Sequence, residues 1–558
     1  MIPVFRVKLY LLFFIHVLGK AQNCPSFSTY FGGTQSDEIK GIAIDNDKNS
    51  YVLGNTYSTD LPITPGLIND SFSGNYDGFI AKLDSCGSLV WCTYTGGANF
   101  DSAEKIALTT DGNLVFCGYT SSIESFTTNG CFQPMNNGGY DCFISKINPS
   151  GHIIWSTLFG KSGGDFAFDI AVDALNNIIV GGTTTSAGLY TSSVSFQQNL
   201  KANTDAFIAR FSPGGTLKWC TYYGGNNSED IHVVTTDHNC NIIGAGGSFS
   251  TNLNTSAGAY QNLNEGSADG YIIKLDSNCT RIFSSYLGGS GVDDVWGVAC
   301  DANSNIYLAG HTSSADFDTT SAAYQTTNKG LSDWYLTKWS PAGTLLVSTL
   351  FGGSLNDNLA RMILSGSYEV TLIGKTESTD VPMLGTNNQQ ISGGNYDLLL
   401  AKFNTTSLTP VWTSYYGGAQ DEEAFDLQSY HGSFLEFVGT TNSNDYPISA
   451  SPYQATLNAS SVDGAITKLS VGNLVTTGIK SNEKTQLIMA TPNPFTDRIF
   501  LTGNGIQSIH CYDVSGQDLY PMLKTNDALI LNTELLAKGV YLLFIVSDKE
   551  MISFKMIK

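Results

Sequence analysis

Charge is scarce in this 558-residue chain: Asp, Glu, Lys and Arg make up only 14% of it, and the shortage is on the basic side, with 28 Lys and Arg against 49 Asp and Glu. The imbalance has a location, since residues 22–479 carry 17 basic and 41 acidic side chains, a net of −24, whereas residues 480–558 carry eight of each. So acidic a region argues against nucleic acid as a partner. Cations, or glycans bridged by cations, suit it better. Long apolar runs are also missing: beyond residue 21 none reaches the ~18 residues that a membrane-spanning helix needs. Catalytic signatures are absent as well. The seven His residues share no alignment column, and no HExxH, GxSxG or phosphate-loop pattern occurs, so no catalytic residue and no required cofactor is assigned. The 11 cysteines are odd in number and lack the CxxC or Cys/His spacing of a zinc site. An exported chain with that set is expected to form one to three local disulfides.

Glycine, by contrast, is abundant at 58 residues, and part of it is periodic. Gly-Gly corners stand at Gly32, Gly96, Gly224, Gly288, Gly352 and Gly417, with a decayed copy at Gly160-Lys161, at intervals of 64 residues five times and 65 once. Asp77, Asp141, Asp205, Asp269, Asp333, Asp397 and Asp463 keep the same register, each followed five residues later by Lys or Arg. A period this tight over seven copies means that each unit buries its apolar face against the next. Inside a unit, four short runs rich in Val, Ile, Phe, Tyr and Trp are separated by turn chemistry, which predicts four strands. At least one glycine of the corner is expected to supply a positive φ. The fold class is therefore all-β, a seven-bladed β-propeller of four-stranded blades, with a small β-sandwich behind it.

The chain ends support closure into a ring. Residues 27–33, FSTYFGG, read as a fourth strand without the three before it, while the last unit lacks its own fourth strand after residue 469. The N-terminal strand is expected to complete the seventh blade and remove an exposed edge; a degenerate strand at residues 474–477 is the competitor. Ahead of it, Arg6 and Lys8 precede the apolar stretch 9–18, and Ala21 offers a small residue, so residues 1–21 read as a signal peptide. The propeller is assigned to 22–479, a linker to 480–490 and the sandwich to 491–558.

Several columns invite a site. An acid enters the first strand of every unit: Asp37, Asp101, Asp165, Glu229, Asp293, Asp357 and Glu422. These form either a carboxylate ring near one channel mouth, with pKa values raised by mutual repulsion or with bound cations, or local caps on the N–H groups of the corner before them. The turn between the first and second strands repeats an oxygen-rich pattern in three units: Asp45, Asp47 and Asn49; Asp237, Asn239 and Asn241; Asp301, Asn303 and Asn305. These nine residues are the metal candidates, with calcium as the ion, although none continues to the glycine and distal glutamate of a full calcium loop. A hydrogen-bonded Asx turn explains the same spacing. The Trp91, Trp155, Trp219 and Trp412 column reads as packing, and the Gly54 to Gly439 column as close approach or a bulge.

Binding is expected on the long connections between second and third strands, which vary in sequence and open on one face. Each keeps a central anchor, such as Phe132 before Gln133 or Tyr260 before Gln261. The expected function is a cell-surface or secreted binding and adhesion module for a glycan or a surface protein. The alternatives are a carbohydrate-active hydrolase or lyase using channel carboxylates, or a purely structural surface protein.

The repeat as a whole, GG-x(3)-DE through YDGFIAKL to W-x-TYxGG, resembles the bacterial β-propeller repeat family named for its seven blades, over residues 26–470. The tail resembles the type A C-terminal sorting domain of the Bacteroidetes type IX secretion system, carried by Pro492-Asn493-Pro494-Phe495, by residues 512–516 (YDVSG) and by Lys538-Gly539-Val540-Tyr541. That resemblance implies the secretion machinery as a partner, cleavage of the tail, and release or attachment at the outer-membrane surface. It implies no ligand.

Overall fold

The structure, a computed structural model, describes residues 26–470 apart from 124–125, 366–368, 386–388, 431–433 and 459–461, and after residue 488 the backbone of a further set of strands. The chain divides into two units between Leu474 and Val475. In the first, seven four-stranded antiparallel sheets follow one another. Each is a meander; the first consists of Asp37–Ile44, Ser50–Thr56, Asp77–Leu83 and Leu89–Thr95. First strands of neighbouring sheets touch all the way round, the seventh touching the first. They are therefore the innermost strands of a closed seven-bladed propeller.

Closure follows the expected route. Phe27–Phe31 lies antiparallel to Asp463–Leu469, with Phe27 opposite Lys468 and Phe31 opposite Gly464. Ser28 and Thr467 share a buried hydroxyl hydrogen bond of 2.9 Å, and the Tyr30 hydroxyl donates to the Ser443 carbonyl at 2.7 Å. The rival segment 474–477 lies outside the described residues.

Every innermost strand carries a bulge at the same place. In the first blade the pairing with the second strand runs from Ile39 to Gly41 and skips Lys40; the other six skip Glu104, Phe168, His232, Trp296, Ala360 and Phe425. The extra residue bends the strand and pushes the preceding carbonyl against its neighbour. That carbonyl accounts for the glycine column: a Cβ on Gly246 would lie 1.9 Å from the Asp230 oxygen, and one on Gly310 1.8 Å from the Asp294 oxygen.

The corners are held by two buried acids each, and they correct one expectation. Except at Gly96, no corner glycine has a positive φ. They are glycines because a side chain would strike the carboxylates around them; a Cβ on Gly352 would meet Asp333 at 2.5 Å and Asp357 at 2.7 Å. Positive φ is used in the turns between third and fourth strands instead, at Gly87, Gly151, Gly215 and Gly343. The Trp column staples blades together: Trp91, Trp155 and Trp219 each donate from Nε1 to a carbonyl in the next blade, those of Pro149, Pro213 and Ser277, at 3.0–3.2 Å.

In the second unit, strands Met489–Thr491, Arg498–Thr502 and Ala528–Asn532 form one antiparallel sheet, and Met522–Leu523, Ile506–Tyr512, Val540–Ser547 and Met551–Ile557 another. The signal-peptide assignment 1–21, residues 480–488 of the linker and the motifs at 492–495 and 513–516 fall outside the described residues. Cys86 is disulfide-bonded, while Cys92, Cys117, Cys131, Cys142, Cys220, Cys240, Cys279 and Cys300 are free thiols.

Two outcomes follow from this packing. Gly246→Ala is expected to cost about 3 kcal/mol, because the new methyl meets a backbone oxygen. Gly112→Ala, at φ 78° with open space around it, should cost only about 1–2 kcal/mol of backbone strain. Chemical denaturation of both variants checks the difference. Removing residues 22–33 should leave the edge of Asp463–Leu469 unpaired and produce aggregates on size-exclusion chromatography.

Candidate functional site

The three candidate metal turns lie at the far end of the first strands from the corners. In each, the leading carboxylate is occupied by the turn itself. Asp45 accepts from the N–H groups of Asp47 and Asn49, both at 2.9 Å, from the Asn49 amide at 2.8 Å and from the Tyr51 hydroxyl at 3.0 Å. Asp237 and Asp301 repeat this with Asn239 and Asn241, and with Asn303 and Asn305. A lysine from the third strand faces each one: Lys82 at 3.9 Å, Lys274 at 2.9 Å and Lys338 at 4.0 Å. The arrangement is an Asx turn whose charge is met by a lysine. Among the described residues, no group of three or more His, Cys, Asp or Glu side chains comes together in a metal-ligating cluster.

The acid columns are buried in the scaffold. All fourteen carboxyls of the Asp37 and Asp77 columns are buried. Asp37 accepts the Gly33 N–H at 2.7 Å and the Ser58 hydroxyl at 3.0 Å, and Thr56 also donates to it. Asp141 accepts the Asn137 N–H at 2.8 Å and the Gln133 amide, whose oxygen in turn receives the Gly160 N–H at 3.0 Å. The recurring aromatic-Gln anchor is thus a clamp between long connection and corner. These acids are turn caps. They lie behind the corner because side chains alternate along a strand, so Asp37 points into the blade and Glu38 toward the axis.

What reaches the axis is a set of residues with no repeat. At the mouth stand Glu38, Phe166, Asp230, Asp294, Asn358 and Glu423, all part-exposed. Two positions further in stand the seven bulge residues, again all part-exposed. Lys40 pairs with Glu38 at 2.9 Å and lies 3.6 Å over the Phe425 ring. His232 stacks on Trp296 at 4.2 Å, with Nδ1 3.3 Å from Asp294; burial works against its cation, but the Asp294 charge and hydrogen bond, with Asp230 and the Val295 carbonyl, together outweigh it and raise its pKa. Burial also raises the pKa of Glu104, against the pull of Lys40.

One residue deeper, charges from four blades meet across the axis. Arg361 reaches Asp169 at 3.0 Å and Asp426 at 3.4 Å, and Lys105 also pairs with Asp426. Asp169 further accepts the Val234 N–H and Asp426 the Ile42 N–H, both at 2.8 Å. This network floors a cavity of about 380 Å³ lined by Lys40, Glu104, Phe168, Asp230, His232, Trp296, Ala360 and Phe425 among others. Sequence reading missed these residues because it looked for columns that repeat. The signal available was the opposite one, a column at 40, 104, 168, 232, 296, 360 and 425 in which no residue type dominates.

A second asymmetry lies on the face of the corners and long connections. Tyr57, Tyr76, Phe100, Tyr119, Tyr140 and Phe166 form a continuous aromatic band over the first three blades. Ring centroids are 4.6 Å apart for Tyr57–Tyr76, 4.7 Å for Tyr76–Phe100, 5.0 Å for Tyr119–Phe166 and 5.4 Å for Tyr140–Phe166. Tyr57 is 50% exposed. The matching positions in later blades include Asp230, Asp294, Asp421 and Glu423.

Residues 27–62 and 282–318 match the family model described as beta-propeller repeat, and residues 490–558 match the secretion system C-terminal sorting domain. This is a β-propeller with a type IX sorting domain. It is a secreted or surface-attached protein that engages the secretion machinery through its tail, and no helix among the described residues is long and apolar enough to cross a membrane. The chain is 24% identical over 307 residues to the regulatory protein FlaEY of Caulobacter vibrioides, and 23% identical over 206 residues to a WD repeat-containing protein of Acanthamoeba polyphaga mimivirus. The alignments span only 31% and 15% of those relatives. Among solved structures it is similar to a fungal alcohol oxidase of the AA5 family, at 11% identity and a TM-score of 0.39 over 95% of this chain and 98% of the other. It is also similar to PorZ, a surface component of the type-IX secretion system of Porphyromonas gingivalis, at 10% identity and a TM-score of 0.25 over 93% and 81%. No property of those proteins transfers at that distance.

The caps of this sorting-domain propeller make its stability depend on pH. Burial pushes Asp37, Asp77, Asp141, Asp269 and Asp357 up to about 6 and Glu229 to about 7. The fold therefore holds protons that the unfolded chain has already released. The stability these carboxyls contribute is full below about pH 4 and is lost as the pH rises through 6 to 7. His232 acts in the same direction and His311, whose pKa burial lowers, in the opposite one. Thermal melts at constant ionic strength should rise by several degrees from pH 8 to pH 5; a flat or falling Tm would contradict the assignment.

Proposed function

We propose that this protein is an exported adhesion module whose corner-side face binds a glycan, either free or carried on a surface protein. The observation that supports this most is the aromatic band from Tyr57 to Phe166. All of it but Tyr76 is part-exposed, its ring-to-ring contacts run over three of the seven blades, and the Phe166 position carries Asp230, Asp294 and Glu423 in later blades. Rings in a row offer flat apolar platforms to the C–H faces of sugars, and flanking acids accept from hydroxyls. The scaffold repeats and the face does not, which is how a binding site is added to a repeat fold.

A catalytic reading, a carbohydrate-active hydrolase or lyase, would draw on Glu104 and Asp230 in the axial cavity, because the Asp37 and Asp77 columns are buried under the corners and reach no substrate. Calcium is proposed as an optional ligand of the turns led by Asp45, Asp237 and Asp301, felt through stability rather than through the face. The two sheets of the tail are proposed to pack as a sandwich, removed after export by a cut in residues 480–490.

The full chain, applied to a polysaccharide and surface-protein array with calcium or with a chelator, tests this reading. Retention is expected on at least one glycan-bearing surface, and Tyr57→Ala combined with Tyr140→Ala should weaken it at least tenfold, about 1.4 kcal/mol, with an unchanged Tm. Retention that survives the double substitution would remove the band from the account, and sugar turnover lost in Glu104→Gln would favour the enzyme. Intact-mass measurement of secreted material should show loss of both ends; a mature species retaining Lys558 would contradict the second cut.

A further inference from the structure

The band leads to the mouth of the axis, and the axis holds a cavity of its own. Its volume of about 380 Å³ falls within the ~300–1,000 Å³ of small-molecule sites. Resting on the glycan reading above and extending it, we infer that this cavity is a separate end-recognition subsite, which takes an uncharged terminal sugar unit of mono- to disaccharide size.

Four observations point there. Phe168, Trp296 and Phe425 line the cavity from blades 3, 5 and 7; His232 stacks on Trp296 and Lys40 covers Phe425, which leaves Phe168 as the ring offered to a pyranose C–H face. Glu104 and, nearer the mouth, Asp230 supply acceptors and Lys40 a donor, and Trp296 Nε1 is buried with no hydrogen-bond partner, a donor that a sugar hydroxyl would satisfy. The lining cations are each met by a carboxylate: Lys40 by Glu38, Lys105 by Asp426 and Arg361 by Asp169. With its cations paired, the cavity offers an anion no free partner, Glu104 and Asp230 remain as acceptors for hydroxyl groups, and Lys40 already occupies the Phe425 face that a ligand cation would seek. Finally, the Arg361 network closes the floor, so a chain entering from the mouth must stop there. That geometry accepts an end and refuses a chain interior.

The test is isothermal titration of the full chain with glucose, galactose, mannose, N-acetylglucosamine and cellobiose as neutral probes, glucuronate as the anionic probe and tetramethylammonium as the cationic one. Saturable binding of at least one neutral sugar is expected. It should weaken at least tenfold in Ala360→Trp, which fills the cavity from its smallest wall, and in Glu104→Gln, which replaces one of two acceptor oxygens with a donor and removes the charge without changing size. Thermal melts establish folding, and if Ala360→Trp does not fold, Glu104→Gln decides. Loss of polysaccharide retention in the Tyr57→Ala, Tyr140→Ala protein reads the band, and loss of free-sugar affinity in Ala360→Trp and Glu104→Gln reads the cavity, so the two fail separately. The inference is overturned if no neutral sugar saturates, if only glucuronate or tetramethylammonium does, or if neutral-sugar affinity is retained in both cavity variants.

Discussion

One extra residue in the innermost strand of every blade governs the rest of the architecture. It breaks the ladder at the same register seven times, turns a side chain toward the axis and drives a carbonyl against the neighbouring strand. The cost falls on that strand, which must carry glycine opposite, and the Gly54 to Gly439 column follows. The benefit falls on the axis, where the turned-in residue, like those just above and below it, is free of the demand to repeat that binds the blade interiors. Seven equivalent places thereby hold Lys, Glu, Phe, His, Trp, Ala and Phe without disturbing a blade.

The acidity of the repeat region looks different once its carboxylates are placed. Fourteen of them are buried at the corners, where N–H, hydroxyl and Gln amide donors hold them. In twelve of them burial favours the neutral form, so they contribute less field at the surface than a net of −24 suggests. A further set, including Asp45, Asp237 and Asp301, is met by the basic column of the third strand. The acid excess is chiefly a way of building turns. The charges that face solvent near the mouth, such as Glu38, Asp230 and Glu423, are few and set beside aromatic rings, an arrangement suited to hydroxyl-rich ligands.

Much of the fold was legible without coordinates. Four strands per unit, seven units, and closure by FSTYFGG opposite Asp463–Leu469 all follow from the period and from the missing fourth strand. The packing role of the Trp column and the Gln after the loop aromatic were legible for the same reason: a residue that recurs at every 64th position serves the scaffold. The corner glycines were misjudged, since their small size is required by two carboxylates, one five residues on and one from the preceding third strand, and the spacing that suggested a cap does not show how closely both approach. The turns at Asp45, Asp237 and Asp301 kept their ligand-like spacing on the page, but the lysine facing each one comes from the third strand, some 37 residues away.

The sequence by itself determined the blade, the count of blades, the closing strand and the route of export, because each of these is written as a repeat or a contiguous motif. Only the tertiary structure decided where chemistry is available. Glu38 and Asp37 are adjacent in the chain, yet one faces the axis and the other is sealed in a corner, a difference set by strand alternation and by the bulge that resets it. Arg361 meets Asp169 and Asp426, and Trp296 meets His232, only when seven blades close into a ring and bring the same step of each inner strand to one axis. Closure turns a column of unlike residues into a cavity, and no reading along the chain measures that distance.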